Sequence, residues 1–239
     1  MNAISYINGD AQVTDFPTCS ARPLAALVQS CNDVLAGPSG YLSPDNSVLA
    51  LELGWQTVGT ADVAHSVIHA WVAELLTNPG WGIVRYAKIT AIKAIIDIAQ
   101  LHRNVASSHT PPVAAWDDAD RAARAAARAI SRTSNPAGLY AVRAAYMSTA
   151  IVDTHHQAAL EAVTGNALCA HMLASGDTRA NRIVELTRHA IHSWRHLAGL
   201  ANPSEASPRQ ADQPGRAAAD RARLMTYPAQ RILADISQH

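Results

Sequence analysis

The sequence predicts an all-α protein, and three observations lead to this prediction. Its 49% hydrophobic content is mostly alanine, leucine, isoleucine and valine, and alanine favours helices over strands. Apolar residues recur at helical spacing between breaks that are rich in glycine, proline, asparagine and serine. No segment alternates as a strand does between hairpin signals. We therefore expect one helical domain over residues 1–239, a bundle of about seven helices.

The first half of the chain divides at clear helix signals. Residues 1–20 read as an irregular arm, and Pro23 suits the first turn of a helix over about 23–35. The loop 37–47 precedes a short amphipathic segment near 47–54. A helix over about 60–76 ends at the turn sequence NPGWG, residues 78–82. The next helix, about 83–103, is apolar nearly all round and is expected in the core.

The second half follows the same logic. Acidic residues open a helix over about 116–133, as the helix dipole favours. SNPAG, residues 134–138, separates it from a long helix over about 137–163, and another helix covers about 178–199. Residues 201–215 form a polar linker, and a last helix over about 216–236 is expected to kink at Pro228.

Composition also limits the partners and the compartment that we expect. The 19 basic and 19 acidic residues balance, so neither nucleic acid nor a membrane surface is an expected partner. Lys88, Lys93 and Asp97 interrupt the longest apolar stretches, so no membrane span is expected. From its first residues we expect no signal peptide, and three cysteines without a pairing pattern fit a reducing compartment. We expect a cytoplasmic protein, as a monomer or a homodimer.

Three helical stretches each combine a carboxylate with histidine at spacings that share one helix face. They are Asp62–His65–His69, Asp153–His156, and Glu185–His189–His192–His196. Five further histidines lack such a pattern and are expected to be structural or on the surface. These are His102, His109, His155, His171 and His239.

The positions around each cluster rank the three. The first two lie among apolar positions, where an unpaired carboxylate would be costly to bury, so a cation or a hydrogen-bonded network is expected. Tyr146 shares the face of Asp153 and is a candidate pocket residue or a core aromatic. Arginines border the third cluster, so a solvated face competes with a site there. For the first two clusters the alternatives to a metal site are histidines buried in the core and, at Asp62, a residue that caps the start of the helix.

Converging carboxylates and imidazoles predict a metal site between three core helices. Without thiolates in position, iron–sulfur and zinc-ribbon sites are excluded. The number of ligands matches two iron or two manganese ions that activate dioxygen better than it matches one zinc ion.

This arrangement resembles the haem-oxygenase-like diiron oxidases and oxygenases over about residues 60–195. Asp62 and His69 have the spacing of that family's first ligand helix, Asp153 takes the place of the second-helix carboxylate, and Glu185–His189–His192 takes that of the third. His65 and His156 are alternative ligands. The resemblance implies two iron ions per chain and the O2-dependent oxidation, desaturation or fragmentation of a small aliphatic substrate, often an amino acid or a fatty acid.

Two other metal families share parts of the pattern. Asp62–His65 and Asp153–His156 resemble the two carboxylate-x-x-His motifs of ferritin-like proteins, with Asp33 and Asp118 or Asp120 as the remaining carboxylates. LGWQTVGTADVAH, residues 53–65, is similar to the metal-bearing helix of DinB-like domains. That second resemblance implies one zinc ion held by His65, Glu185 and His189, in a hydrolase, transferase or isomerase.

A non-catalytic helical interaction protein is the third interpretation. Arginines recur along one face of the helix over 116–133, which is either a solubilising face or a surface for a protein or an acidic ligand. These residues are Arg121, Arg124, Arg128 and Arg132.

Overall fold

The computed structural model of this protein describes residues 1–131, 135–151 and 157–201. Over these ranges the fold is all-helical, as predicted, with nine α-helices and no strand. Their bounds are α1 Asn2–Asn8, α2 Arg22–Ala36, α3 Pro44–Gln56, α4 His65–Thr77, α5 Ile89–Ala106, α6 Val113–Ile130, α7 Pro136–Ser148, α8 Gln157–Ser175 and α9 Arg179–Leu197.

The chain separates into two units, Met1–Leu200 and Ala201–His239. The first unit contains all nine helices. The predicted linker and C-terminal helix lie, apart from Ala201, outside the described residues. None of the described helices combines the length and the apolar character that crossing a bilayer requires.

Two differences raise the helix count above the expected seven. The arm over 1–20 is not wholly irregular, because α1 buries Ile4 against Gly54 of α3 and ends at Gly9 in the left-handed conformation. The long helix predicted over 137–163 is not continuous, since α7 ends at Ser148. There the Ser148 and Thr149 hydroxyls donate to the carbonyls of Ala145 and Tyr146, and such local bonds compete with the helix.

Helix α4 begins at His65, five residues later than predicted. The side chain of Thr60 is used in a tertiary contact: its hydroxyl accepts from the backbone N–H of Ala21 and donates to the carbonyl of Thr57. Ser20 and Thr57 share a further buried hydrogen bond of 2.8 Å. The residues before α4 therefore form a loop that is tied to the N-terminal segment.

The core lies where α4 packs between α5 and α9, with α7 and α8 adjoining. Trp71 of α4 meets Trp194 of α9 edge to face, with ring centroids 5.2 Å apart, and its indole N–H donates to the Ala190 carbonyl. Alanines of α7, among them Ala141, Ala144 and Ala145, are fully buried, which allows close packing against α8.

The last turn of α9 clamps the loop that leads into α4. The Trp194 indole donates to the carbonyl of Thr60, and the Arg195 guanidinium donates to those of Gln56 and Val58. Arg195 is only 8% exposed, so these bonds satisfy a charge that is largely removed from water. The clamp fixes the backbone just before His65.

Candidate functional site

Two histidines of α4 begin the strongest candidate site. His65 is the first residue of the helix and is exposed, whereas His69, one turn later, is 1% exposed. Their ring centroids are 4.5 Å apart at a steep angle. The predicted shared face is therefore present for this pair, and it runs from solvent into the core.

A third histidine, His102 of α5, continues the row inward. Its Nδ1 lies 2.7 Å from Nδ1 of His69, and its Nε2 lies 2.9 Å from the Ser148 hydroxyl at the end of α7. His102 and Ser148 have no exposed surface. The indole of Trp116 from α6 packs edge to face on His102, with centroids 5.0 Å apart. Four helices thus meet around the ring of His102.

The hydrogen bonds assign the tautomers in this row. Ser148 donates its one proton to the Ala145 carbonyl at 2.6 Å, so its oxygen accepts from the N–H of His102 Nε2. His102 Nδ1 then carries a lone pair and accepts from Nδ1–H of His69. In neutral His69 the lone pair is consequently at Nε2. This is the form in which imidazole coordinates a metal, with its other nitrogen donating a hydrogen bond.

Burial keeps His102 neutral. The pKa of His102 is held well below its usual value, first by desolvation and then by the neighbouring rings of His69 and His65. A neutral His102 has the lone pair that the tautomer assignment requires. The row Ser148–His102–His69 is hereafter called the histidine relay.

The sequence predicted that Asp62 shares a helix face with His65 and His69. In the structure it does not, because α4 begins at His65. It lies in the loop before α4, is exposed and has a φ of 56°, in the left-handed region. The prediction was wrong because it extended the helix back to Thr60. The Asp62 carboxylate therefore belongs to the loop before α4 and not to the helix.

Asp153 and His156 lie outside the described residues. They follow α7, whose last residue is Ser148, and the fully buried Ile151. Tyr146, the predicted pocket or core aromatic, is partly exposed and lies beneath the guanidinium of Arg124. It therefore belongs to the α6–α7 surface, which is described below.

The predicted α9 ligands are on an exposed face. Glu185, His189 and His192, together with His196, are all exposed, and Glu185 pairs with Arg182 at 3.2 Å. This group is hereafter called the α9 stripe. This exposure agrees with the alternative that the bordering arginines suggested, a helix face in contact with solvent.

Helix geometry explains why the α9 stripe does not meet the histidine relay. Trp71, two residues after His69, is on the α4 face that contacts Ala190 and Trp194 of α9. At about 100° per residue, His69 points roughly 200° away from Trp71, toward α5. The described contacts therefore do not join His65 or His69 to Glu185 or His189, and the three-helix site and the DinB-like ligand set stay predictions.

The carboxylates of the ferritin-like alternative have other partners or are exposed. Asp118 pairs with Arg121 at 2.7 Å and Asp120 with Arg124 at 2.7 Å, both within α6. Asp33 of α2 is exposed. The described contacts of these carboxylates do not include His65, and the ferritin-like ligand set stays a prediction.

The sequence missed the burial of two histidines, His102 and His171. His171 of α8 is 2% exposed and its Nδ1 lies 2.9 Å from the Tyr86 hydroxyl. Burial, assisted by Arg85, lowers the pKa of His171 to about 4. A small cavity of about 30 Å³, room for a water molecule, adjoins it beside Glu185 and His189. Neither histidine has a carboxylate or histidine partner within its own helix, so no local spacing signalled it.

Among the residues that the structure describes, no group of three or more His, Cys, Asp or Glu side chains is arranged to hold a metal ion. The described donors are instead two neighbouring imidazoles of α4, one of them directed by the histidine relay. Comparison with protein-family models, curated proteins and solved structures found no match for this chain. Its function is therefore inferred from the chemistry of these side chains.

Proposed function

We propose that this protein is a non-haem iron oxidase that uses dioxygen, with its iron bound by His65 and His69. The observation that carries the proposal is the histidine relay, in which His69 Nδ1 lies 2.7 Å from His102 Nδ1. A neutral His69 that donates this hydrogen bond has its lone pair at Nε2, where it can coordinate a metal. Two histidines at i and i+4 on a helix are also the spacing with which metalloenzymes bind a metal from one helix face.

The oxygen ligand that we propose is Asp153. Asp153 follows Ser148, the residue that bonds to His102, by five positions in the sequence. Two imidazoles and one carboxylate form the ligand set of mononuclear non-haem iron oxygenases, which leaves positions for dioxygen and substrate. His156, in the same undescribed segment, is an additional candidate ligand.

We propose one iron ion per chain and not the two expected from the sequence. The second ion depended on Glu185, His189 and His192, which are exposed on α9 while His69 is directed toward α5. An iron ion bound by His65 and His69 would supply the dioxygen chemistry that no amino-acid side chain provides.

The chain itself positions the ligands and excludes water. Ser148 anchors His102, and His102 accepts the hydrogen bond that fixes the ring of His69. Trp116, 6% exposed, covers the inner end of the row, whereas His65 is exposed at the outer end. A small aliphatic substrate, the class implied by the family resemblance, would approach from the side of His65.

A single zinc ion is the second candidate, because the i, i+4 histidine pair is also a zinc-binding pattern. Zinc would activate a water molecule without redox chemistry, which makes the second candidate a hydrolase or transferase.

The test is anaerobic loading of the full chain with Fe(II), followed by metal analysis and exposure to dioxygen. We expect one iron per chain and an absorption band that appears only with dioxygen. His69→Ala should abolish loading, whereas His192→Ala, which removes an exposed histidine of α9, should leave it unchanged.

Three outcomes would contradict the proposal in different ways. Tight binding of one zinc ion without any dioxygen-dependent band favours the second candidate. Two irons per chain, lost on His192→Ala, restore the dinuclear site. No tight binding of either metal, or equal loading of wild type and His69→Ala, rejects a metal centre at His69.

A further inference from the structure

A groove of about 220 Å³ lies between α6 and α7, away from the histidine relay. Three arginines line it, two from α6 and one from α7, together with the ring of Tyr146. These arginines are Arg124, Arg128 and Arg143. The predicted arginine face of α6 therefore does more than coat the helix, since part of it faces a cation from another helix. Arg132 lies outside the described residues.

The positive charge at this groove is only partly neutralised. Arg124 pairs with Asp120 through its Nε, at 2.7 and 3.0 Å to the two carboxylate oxygens. In the described part of the chain, no carboxylate lies within ion-pair distance of Arg128 or Arg143. Three arginines thus line one groove, and only Arg124 has a carboxylate partner among the described residues, which leaves two positive charges at the groove without one.

Aromatic rings hold two of the guanidinium groups in place. Cζ of Arg124 is 4.3 Å from the ring centroid of Tyr146, and Cζ of Arg143 is 5.2 Å from that of Tyr140. Cation–π contacts restrict long side chains that would otherwise be mobile, so less entropy is lost when these arginines bind an anion. Leu139 and Ala127 add an apolar wall beside the charges.

We infer that this groove is a binding site for a small phosphate monoester. Guanidinium groups match phosphate oxygens with paired N–H donors, and two uncompensated positive charges match the near-dianion that such an ester carries at pH 7. The groove is smaller than the roughly 300 Å³ at which pockets for drug-sized ligands begin, so it suits one compact anion. The whole chain has no net charge, so the attraction is local to the groove.

The experiment titrates the full chain with inorganic phosphate and with phenyl phosphate, followed by calorimetry and by the NMR signals of the arginine Nε–H groups. We expect saturable 1:1 binding of both probes, with phenyl phosphate tighter because its ring can contact Leu139 and Tyr146. Acetate at equal ionic strength should bind at least about tenfold more weakly, since it presents one charge and two oxygens.

Arginine variants separate a defined site from general attraction. Arg128→Ala and Arg143→Ala should each weaken phosphate binding at least about tenfold, and Arg143→Lys should restore only part of it because the fork of donors is lost. Arg121→Ala is the matched control: Arg121 is on the same helix but pairs with Asp118 and does not line the groove. Its removal should leave phosphate binding unchanged.

Absence of saturable binding would overturn the inference, as would a loss on Arg121→Ala equal to that on Arg143→Ala. Tight binding of a phosphoserine peptide with no binding of either small probe would reject the small-molecule ligand in favour of a protein partner. Iron loading at His69 is measured separately, so this site and the metal centre can fail independently.

Discussion

The histidine relay contains two histidines and the α9 stripe contains three, and the two groups lie in opposite environments. In the histidine relay, His69 and His102 are buried. Both ring nitrogens of His102 have a hydrogen-bond partner, His69 Nδ1 on one side and the Ser148 hydroxyl on the other. In the α9 stripe, Glu185 and the histidines His189 and His192 are exposed. The difference shows that the density of histidines in the sequence does not by itself predict burial or a hydrogen-bonded arrangement of their rings. What distinguishes the histidine relay is that one ring fixes the protonation of the next.

Removing His102, the middle residue of the histidine relay, should lower the free energy of unfolding far more than removing a histidine of the α9 stripe does. His102→Ala leaves Ser148 and His69 without their buried partner and creates a cavity, so we expect the free energy of unfolding to fall by about 2–4 kcal/mol. His192→Ala should leave it nearly unchanged, as is usual for exposed positions. Urea unfolding measures both. Equal effects would mean that the two regions do not differ in structural importance.

Ser148→Ala sharpens the comparison without removing a histidine. The hydroxyl contacts His102 and not the proposed ligand His69, so its loss should act through the orientation and tautomer of the His102 and His69 rings. We expect Fe(II) affinity to fall about 10–100-fold, the usual effect of removing an outer hydrogen-bond partner. Thr149→Ala is the control, since that hydroxyl also bonds to a nearby carbonyl but touches neither histidine. An unchanged Fe(II) dissociation constant in Ser148→Ala would show that the histidine relay does not tune the site.

His171 tests whether a buried histidine outside the histidine relay makes the free energy of unfolding depend on pH. Its pKa is about 4 in the folded protein, against about 6.5 in an unfolded chain, so between these values only the unfolded state binds the proton. Its contribution to stability is complete above about pH 6.5. It falls by up to about 1.4 kcal/mol per pH unit as the pH drops toward 4.

The measurement is the free energy of unfolding from pH 7.5 to 4.5 for wild type and His171→Gln. The wild type should lose stability more steeply below pH 6.5 than the variant does. Parallel curves would show that His171 is protonated as readily in the folded protein as in the unfolded chain.

Most helices could be predicted from the sequence because their signals are local. Pro23 and the NPGWG turn delimit helices that the structure places within a few residues. The start of α4 could not be predicted, because Thr60 bonds to Ala21, 39 residues earlier. The end of α7 was hidden for a related reason: the Ser148 hydroxyl is occupied by Ala145 and by His102, from another helix.

The candidate site could be predicted only where its residues share one helix. His65 and His69 were identified from their spacing, and the structure brings their rings together. His102 was not, because its partner is 33 residues away and its own helix has no second histidine or nearby carboxylate on that face. The arginines that border the α9 stripe raised a solvated face as the alternative to a site, and the residues of the stripe are exposed, although Arg195 among those arginines is buried.

The hydrogen bonds made by the last turn of α9 affect the order in which parts of this protein fold during synthesis. Trp194 and Arg195 donate to the carbonyls of Gln56, Val58 and Thr60, in the segment that leads to the helix beginning at His65. During synthesis, residues 56–69 leave the ribosome long before residue 195 does. A nascent chain can therefore form α4 early, but the approach to His65 becomes rigid only when the last turn of α9 has emerged and docked. In the proposed function, iron binding at a preorganised His65–His69 pair would accordingly follow the docking of α9.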